Sequence, residues 1–202
     1  MKDLQSQIDA GLERAFATHG FAEPNIETLR KATGVSLRTL YKYVPSRQDM
    51  ILRALEYRHC RYMAHVFSET DQPGATSLDN IVDRVDQWMK TETTHGCLFH
   101  AAVAFAPQDE TLRALLDRHK AEMAERAASI PGLQGLEGEI SLIIEGLMQS
   151  WPLRGQESVR AAKTLSALLT QANRFGVGLV KADVQALRSI IHFGRISLKN
   201  SC

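Results

Sequence analysis

The sequence predicts an all-α fold, and three observations support this prediction. Apolar residues recur at three- and four-residue spacing along most of the chain, which is the period of one helix face. No segment alternates apolar and polar residues in the way a half-buried strand does. Turn signals are sparse, because the 202 residues include only 13 Gly and 6 Pro.

The first part of the chain predicts four helices. Ile8, Leu12 and Phe16 share one face of the first helix, which ends near Gly20. The other predicted spans are short helices over residues 26–33 and 37–43, a stop at Pro45, and a long helix from Ser46 to about Ser68.

The second part begins after a linker over residues 71–77. Five further helices are predicted, with a loop over 151–155 between the last two. Their spans are 78–92, 97–106, 108–129, 137–150 and 157–175. A final helix over 183–193 is also expected.

Composition excludes several classes of protein. The 24 Lys and Arg residues nearly balance the 23 Asp and Glu residues, so any nucleic-acid surface must be local. The longest run without a polar side chain, 101–107, is too short to cross a membrane, and no signal peptide begins the chain. Three cysteines do not form a disulfide framework. We therefore expect a cytoplasmic protein with no membrane contact.

Charge is concentrated in one segment. Residues 25–61 contain eight basic and three acidic side chains, a net charge of +5 that leaves −4 for the rest of the chain. A basic head on a mildly acidic body indicates two separate functions. Within this segment we expected Arg53, Arg58 and Arg61 to lie on a solvated helix face.

The two short helices have a helix-turn-helix layout. Asn25 and Ser36 are placed to cap them, and Gly34 permits the positive φ of a tight turn between them. Leu40 then faces the core, while Leu37, Arg38 and Lys42 lie on or near the outward face, as does Thr39. An ordinary pair of packed helices would have the same spacing, but it would not need the outward basic residues.

Residues Ile26–Met50 resemble the DNA-binding domain of the tetracycline-repressor (TetR) family. The matching motifs are Ala32–Ser36, Thr39–Tyr43 and Pro45–Met50, and the preceding His19–Phe21 also matches. Departures from the family pattern are Arg30, Val44 and Arg47. The resemblance implies a DNA-binding domain over residues 1–47 and a helical ligand-binding and dimerisation domain over 48–202.

The resemblance also implies roles for individual residues. Thr39, Tyr41 and Arg47 match positions that hold DNA phosphates. Leu37, Arg38 and Lys42 match positions that face base edges, which agrees with the chemistry of Arg and Lys toward guanine and of Leu toward a thymine methyl. For Tyr41, a core aromatic ring with an exposed hydroxyl is the alternative.

An effector pocket among the middle helices is a further implication of the resemblance. Simple core packing is the alternative for every candidate. The favoured candidates are Tyr62, His65, Trp88, Cys97, Phe99, His100 and Met123, and Val66, Phe105, His119 and Met148 are further ones. We expect a small, mostly apolar effector of unknown identity with one polar group that meets His65 or His100.

The pattern of apolar residues over 137–175 predicts a homodimer. Two broad apolar faces occur where a chain of this size needs only one, and the two helices with their symmetry mates would form a four-helix bundle. A dimer would present two recognition helices to double-stranded DNA with a palindromic operator. The faces are Ile140, Ile143, Ile144, Leu147 and Trp151 on one helix, and Val159, Ala162, Leu165, Leu168, Leu169, Ala172 and Phe175 on the other.

Two other classes of function stay open. A helical protein-interaction module would never contact DNA. An enzyme based on Cys97 and His100 lacks a visible third member for an oriented triad. The His and Cys spacings match no zinc site, so neither a metal nor a cofactor is expected. Cys97 is either a thiol sensor or an inert buried residue.

Overall fold

The structure, a computed structural model, describes residues 3–67, 77–92 and 96–174. Within those ranges every regular element is an α-helix, which confirms the predicted fold class. The predicted helix over 183–193, residues 71–76 of the linker and Phe175 lie outside the described residues. The helices are α1 (Leu4–His19), α2 (Ile26–Thr33), α3 (Leu37–Tyr43), α4 (Arg47–Val66), α5 (Leu78–Glu92), α6 (Leu98–Phe105), α7 (Glu110–Ala128), α8 (Glu137–Arg154) and α9 (Gln156–Arg174).

Side-chain caps position the short helices of the head, which comprises α1, α2, α3 and the start of α4. The Asn25 side chain accepts a hydrogen bond from the Thr28 N–H at 2.9 Å, and the Ser36 hydroxyl accepts one from the Thr39 N–H at 3.1 Å. Gly34 has a φ of 70°, which makes the turn between α2 and α3. These local interactions agree with the sequence analysis.

A glycine allows α1 to pack directly on the end of α2. A Cβ atom at Gly11 would lie 2.5 Å from the carbonyl oxygen of Ala32 and 2.5 Å from the Cα of Thr33. Both are backbone atoms, which cannot rotate away. Gly11 therefore sets the distance between the two helices, even though glycine lowers the helix propensity of α1.

Buried ion pairs join α1 to α4. Arg58 and Glu13 are each only 4% exposed and meet at 2.5 Å, and Arg61 contacts the other Glu13 oxygen at 2.9 Å. Arg53 pairs with Asp9 at 2.5 Å. The prediction of a solvated face was wrong for Arg58, because α1 covers that part of α4 and supplies Glu13. Arg61 is half-buried beside it, and Arg53 is exposed, as expected, while it pairs with Asp9.

The predicted loop over residues 151–155 was also wrong. Helix α8 continues through Pro152 to Arg154, so α8 and α9 are separated by Gly155 alone. Pro152 cannot donate a backbone hydrogen bond and its ring crowds the carbonyl one turn back, so the last turn of α8 forms without that bond. Trp151 strengthens this turn, since its indole N–H donates to Asp86 of α5 at 2.8 Å.

The body of the molecule packs α5, α7, α8 and α9 around one apolar core, and α4 enters it from the head. Asp86 is the polar junction of this core, because it also accepts hydrogen bonds from Gln156 at 3.0 Å and from Lys90 at 2.6 Å. Among the described helices, none combines the length and the apolar character that a membrane span needs.

Replacement of Gly11 by Ala is expected to destabilise the head. The new methyl group would overlap the α2 backbone, so we expect a loss of about 1–3 kcal/mol in the free energy of unfolding, measured by urea titration. Gly138→Ala is the matched control, since its Cβ meets no atom within 4 Å. Equal stability of the two variants would contradict the close packing of α1 on α2.

Replacement of Glu13 by Ala is expected to lower the free energy of unfolding by about 3–5 kcal/mol, because Arg58 would remain buried without a carboxylate. Glu27→Ala is the control, since Glu27 pairs with Arg30 at the surface and its loss should change the midpoint of thermal unfolding little. A small effect of Glu13→Ala would mean that water reaches Arg58.

Candidate nucleic-acid interface and internal cavity

Helix α3 presents four of the six predicted DNA-contacting side chains outward. Leu37, Arg38, Tyr41 and Lys42 are exposed on this helix. On the opposite side Leu40 is fully buried in the head. The core alternative for Tyr41 therefore does not describe its side chain.

The outward basic residues of α3 have no charged partner among the described residues. Arg38 and Lys42 form no ion pair within the described ranges, whereas the nearby Arg30 is held by Glu27 at 2.7 Å. Their charges are available to an external anion or a base edge.

Thr39 is half-buried at the start of α3. Its hydroxyl lies 2.8 Å from the Ser36 hydroxyl, and its N–H donates to the same atom. It is therefore part of the cap, which holds its side chain close to the N-terminus of α3. A phosphate contact through this residue stays a prediction.

Arg47 is engaged by the protein itself. Its guanidinium donates to the carbonyl oxygens of Phe21 at 2.7 Å and Pro24 at 2.8 Å, and lies over the ring of Phe16. These contacts tie the start of α4 to the connection between α1 and α2. A guanidinium carries five N–H donors, so a phosphate contact is compatible with them and stays a prediction.

A small cavity lies between α4, α5, α6, α7 and α8. Its free volume is about 30 Å³, which is room for about two water molecules. Five of the seven favoured pocket candidates line it, namely Tyr62, Trp88, Cys97, Phe99 and Met123. The large aromatic and sulfur-containing part of the lining was therefore predicted, whereas Leu98 was not.

The other two candidates lie outside the lining. His65 contacts the carbonyl oxygen of Arg84 at 2.9 Å, and its ring centroid lies 5.6 Å from that of Trp88. His100 is half-exposed and lies 3.6 Å from a carboxylate oxygen of Glu145. An effector in the cavity would not meet either ring without rearrangement.

The polar part of the lining was largely missed. It comprises Arg58, His59, His119 and Lys120, of which only His119 was a candidate. Arg58 lies one turn before Tyr62 on α4, a spacing that places both on one face. From the sequence alone these charged residues are expected at the surface, because their partners lie on other helices and are distant in sequence.

No protein-family model matches the chain, and no curated protein matches it. Solved structures do match. The TetR-family transcriptional regulator SCO4454 from Streptomyces coelicolor has a TM-score of 0.64 at 20% identity, over 85% of this chain and 94% of that one. A putative TetR-type transcriptional regulator (sav143) from Streptomyces avermitilis gives 0.66 at 19% identity, over 85% and 99%. Salmonella enterica GusR gives 0.60 at 18% identity, over 85% and 95%.

The chain has a TetR-like fold. The agreement extends over 85% of this chain in both Streptomyces structures.

One wall of the cavity in this TetR-like fold carries a cysteine among charged groups. The Lys120 ammonium donates to Cys97 Sγ at 3.5 Å and pairs with Glu145 at 2.5 Å. Burial by itself would raise the pKa of the thiol. The Lys120 charge and a hydrogen bond from His100 outweigh burial and lower the pKa of Cys97 to about 7.

The opposite wall holds two stacked histidines. The His59 and His119 rings are nearly parallel, with centroids 3.8 Å apart, and each Nε2 lies 2.9 Å from a glutamate oxygen. Burial, together with the neighbouring His59, lowers the pKa of His119 to about 4. His119 is therefore neutral at pH 7, and its Nε2 donates to the Glu56 carboxylate.

The described part of the chain contains no group of three or more His, Cys, Asp or Glu residues that could hold a metal ion. The two walls instead pair each charged group with a partner.

An apolar groove between α8 and α9 is open to solvent. The predicted dimer faces are partly wrong, because Ile140, Ile144 and Val159 are buried in the chain's own core. Leu142, which is 75% exposed, and Leu165 line this groove, and Leu153 and Leu168 on the same two helices are also exposed. Small residues form the floor of the groove between them, namely Gly146, Ser150, Ala161 and Ala162.

Proposed function

We propose that the protein is a sequence-specific, DNA-binding transcriptional regulator, and that it acts as a dimeric repressor released from a palindromic operator by a small effector. The observation that carries this proposal is the outward face of α3, where Arg38 and Lys42 are exposed and unpaired within the described ranges on the second helix of a capped helix-turn-helix. The TetR-like fold, which extends over 85% of the chain, supports it.

Helix α3 suits a major groove because its two cationic side chains form no ion pair with any residue that the structure describes. Arg38 and Lys42 lie four residues apart and so on one face, and both can donate to guanine O6 and N7. Leu37, on the first turn of the helix, can contact a thymine methyl group. Tyr41 adds a hydroxyl for a phosphate oxygen, which positions the helix without reading sequence.

The open α8–α9 groove supports a dimer. Leu142 and Leu165 expose apolar surface across a floor of small residues, which allows helix backbones of a second copy to approach closely. A two-fold arrangement would cover the groove of each copy with the same groove of its partner. Two α3 helices would then face half-sites about 34–36 Å apart, or a multiple of that distance.

Helix α4 supports coupling between effector and DNA. It begins beside α3, where Arg47 is bonded to the head, and its second half supplies Arg58, His59 and Tyr62 to the cavity. Because the cavity has a free volume of about 30 Å³, a ligand must move its walls, and α4 is one of them. A ligand with different affinity for two positions of α4 would change the separation of the two heads.

Selection of bound duplexes from a random DNA pool tests the proposal. We expect enrichment of a palindrome whose half-sites have the spacing given above. Enrichment of no sequence at any salt concentration would contradict the proposal and favour a protein-interaction module. Enrichment of a single, non-palindromic half-site would contradict the dimer.

Replacement of Arg38 or Lys42 by Ala is expected to weaken binding to the selected duplex by about 1–3 kcal/mol and to relax preference at one base pair. Fluorescence anisotropy on a set of single-base variants measures both effects. Lys163→Ala is the control, since it removes one positive charge from α9, where the ammonium pairs with Asp83. If all three variants behave alike, α3 does not read the bases.

Replacement of Leu142 by Glu is expected to give a folded monomer. The side chain is exposed in one copy, so the monomer core is unaffected, while the dimer would bury an unpaired charge. Gly146→Leu should have the same effect by filling the groove that the partner needs. The monomer should tolerate this change, because a Cβ at Gly146 meets no atom within 4 Å in one copy. Leu4→Glu, at the start of α1, is the matched control. Sedimentation at micromolar concentration measures the mass, and a wild-type monomer would rule out the proposed interface.

A further inference from the structure

The cysteine on the cavity wall has the surroundings of a reactive group. Cys97 immediately precedes α6, in the N-cap position, where the unpaired N–H groups of the first turn favour an anion. Its side chain lines the cavity and the residue is 6% exposed. A group that reacted there would be enclosed by the protein.

Charged and titratable groups approach Cys97 from three helices. His100 follows it on α6, Lys120 approaches from α7 with its Nζ 3.5 Å from the sulfur, and Glu145 of α8 pairs with Lys120. Across the cavity α4 contributes Arg58, whose charge is balanced by Glu13, and the phenol of Tyr62. The cationic partners nearest to the sulfur therefore favour its thiolate form.

The cavity lining also contains a polar atom that bonds to no described residue. His119 is only 2% exposed and lines the cavity, and its Nδ1 accepts no hydrogen bond from any described residue. Because Nε2 carries the proton that bonds to Glu56, Nδ1 of the neutral ring is an acceptor. A buried acceptor without a donor costs free energy, which a ligand with a hydroxyl or N–H group would recover.

We propose that Cys97 is the covalent attachment site for small α,β-unsaturated carbonyl compounds that enter the cavity, with His119 Nδ1 as the acceptor for a hydroxyl group on the adduct. This deepens the proposed function, since it gives the effector a chemical class. The small free volume favours short electrophiles over extended ones.

The reaction is an addition that needs no oxidant. The Cys97 thiolate attacks the β-carbon, a carbon–sulfur bond forms, and the carbon–carbon double bond supplies an electron pair to the enolate. The Lys120 ammonium, which lines the cavity, protonates the enolate and recovers its proton from water. The net change is addition of S–H across the double bond.

The adduct would also change the contacts of the cavity. It removes the thiolate that Lys120 contacts and fills space bordered by Tyr62 and His59 of α4. Movement of α4 is then the route by which modification reaches the head.

The experiment uses the full chain with Cys60→Ser and Cys202→Ser, so that Cys97 is the single thiol. Methyl vinyl ketone is the probe, and intact mass measures the rate of adduct formation across pH 5–9. We expect one adduct on the native protein and a rate that rises with a midpoint near pH 7. Adduct formation in the urea-unfolded chain alone would overturn the proposal.

Two variants separate the proposed chemistry from accessibility alone. Lys120→Met is expected to move the midpoint upward and to slow labelling at pH 7 by about fivefold, since the lost thiolate fraction outweighs the gain in nucleophilicity. Glu145→Gln removes a negative charge and should move the midpoint downward. Lys163→Met, at the surface, is the control. Unchanged midpoints in both variants would show that these groups do not activate Cys97.

The role of His119 is tested with a matched pair of probes. 3-Methylene-4-hydroxybutan-2-one carries the hydroxyl group that 3-methylenebutan-2-one lacks. We expect His119→Phe to reduce the preference for the hydroxylated probe, and no change in that preference would overturn the assigned acceptor.

A separate experiment measures the affinity of the protein for its operator duplex before and after labelling. Labelling with loss of affinity supports both proposals. An adduct on a protein that binds no duplex at all supports the attachment site and contradicts the proposed function. An adduct that leaves operator affinity unchanged contradicts the effector role of these compounds.

Discussion

The buried ion pair between Glu13 and Arg58 is the interaction on which the arrangement of head and body depends. It lies where α1 packs along α4, and Arg61 and Arg53 extend it toward both ends of the contact. A charge buried to this degree is tolerable only when its partner is held in register. The pair therefore specifies how α1, and with it the helix-turn-helix, is placed on α4, while the apolar contacts around it supply the bulk of the stability.

Helix α4 has a different function at each end because of its partners. At its start Arg47 is bonded to two carbonyl groups of the α1–α2 connection, and in its second half Arg58 and Tyr62 border the cavity. Hydrogen bonds therefore anchor the start of α4 to the head, and ion pairs anchor its second half to α1. The connection between the two ends is thus a property of one continuous helix, not of a chain of separate contacts.

The cavity shows why its apolar lining was predictable and its polar lining was not. Trp88, Phe99 and Met123 are large apolar residues on amphipathic helices, and such residues face inward wherever the helix packs. Arg58 is buried and Lys120 is half-buried, because Glu13 and Glu145 reach them from positions that are 45 and 25 residues away in the sequence. No residue near either cation in the sequence indicates which glutamate is its partner. The predicted pocket positions of His65 and His100 were wrong for a similar reason. Helical spacing gives the face on which a side chain lies only to within about one turn, and the cavity is lined by a smaller part of each face.

The sequence by itself determined the helices, their caps and the turn of the helix-turn-helix, because each depends on interactions within a few residues. Asn25, Gly34 and Ser36 illustrate this, as their side-chain size and hydrogen bonds act on adjacent backbone. Only the tertiary structure decided that Gly11 is a packing position, that α8 continues through Pro152, and that the α8 face around Leu142 is the open one. Those outcomes depend on which helices meet and at what distance, and contact between distant segments is set by the packing of the whole chain, not by any local pattern.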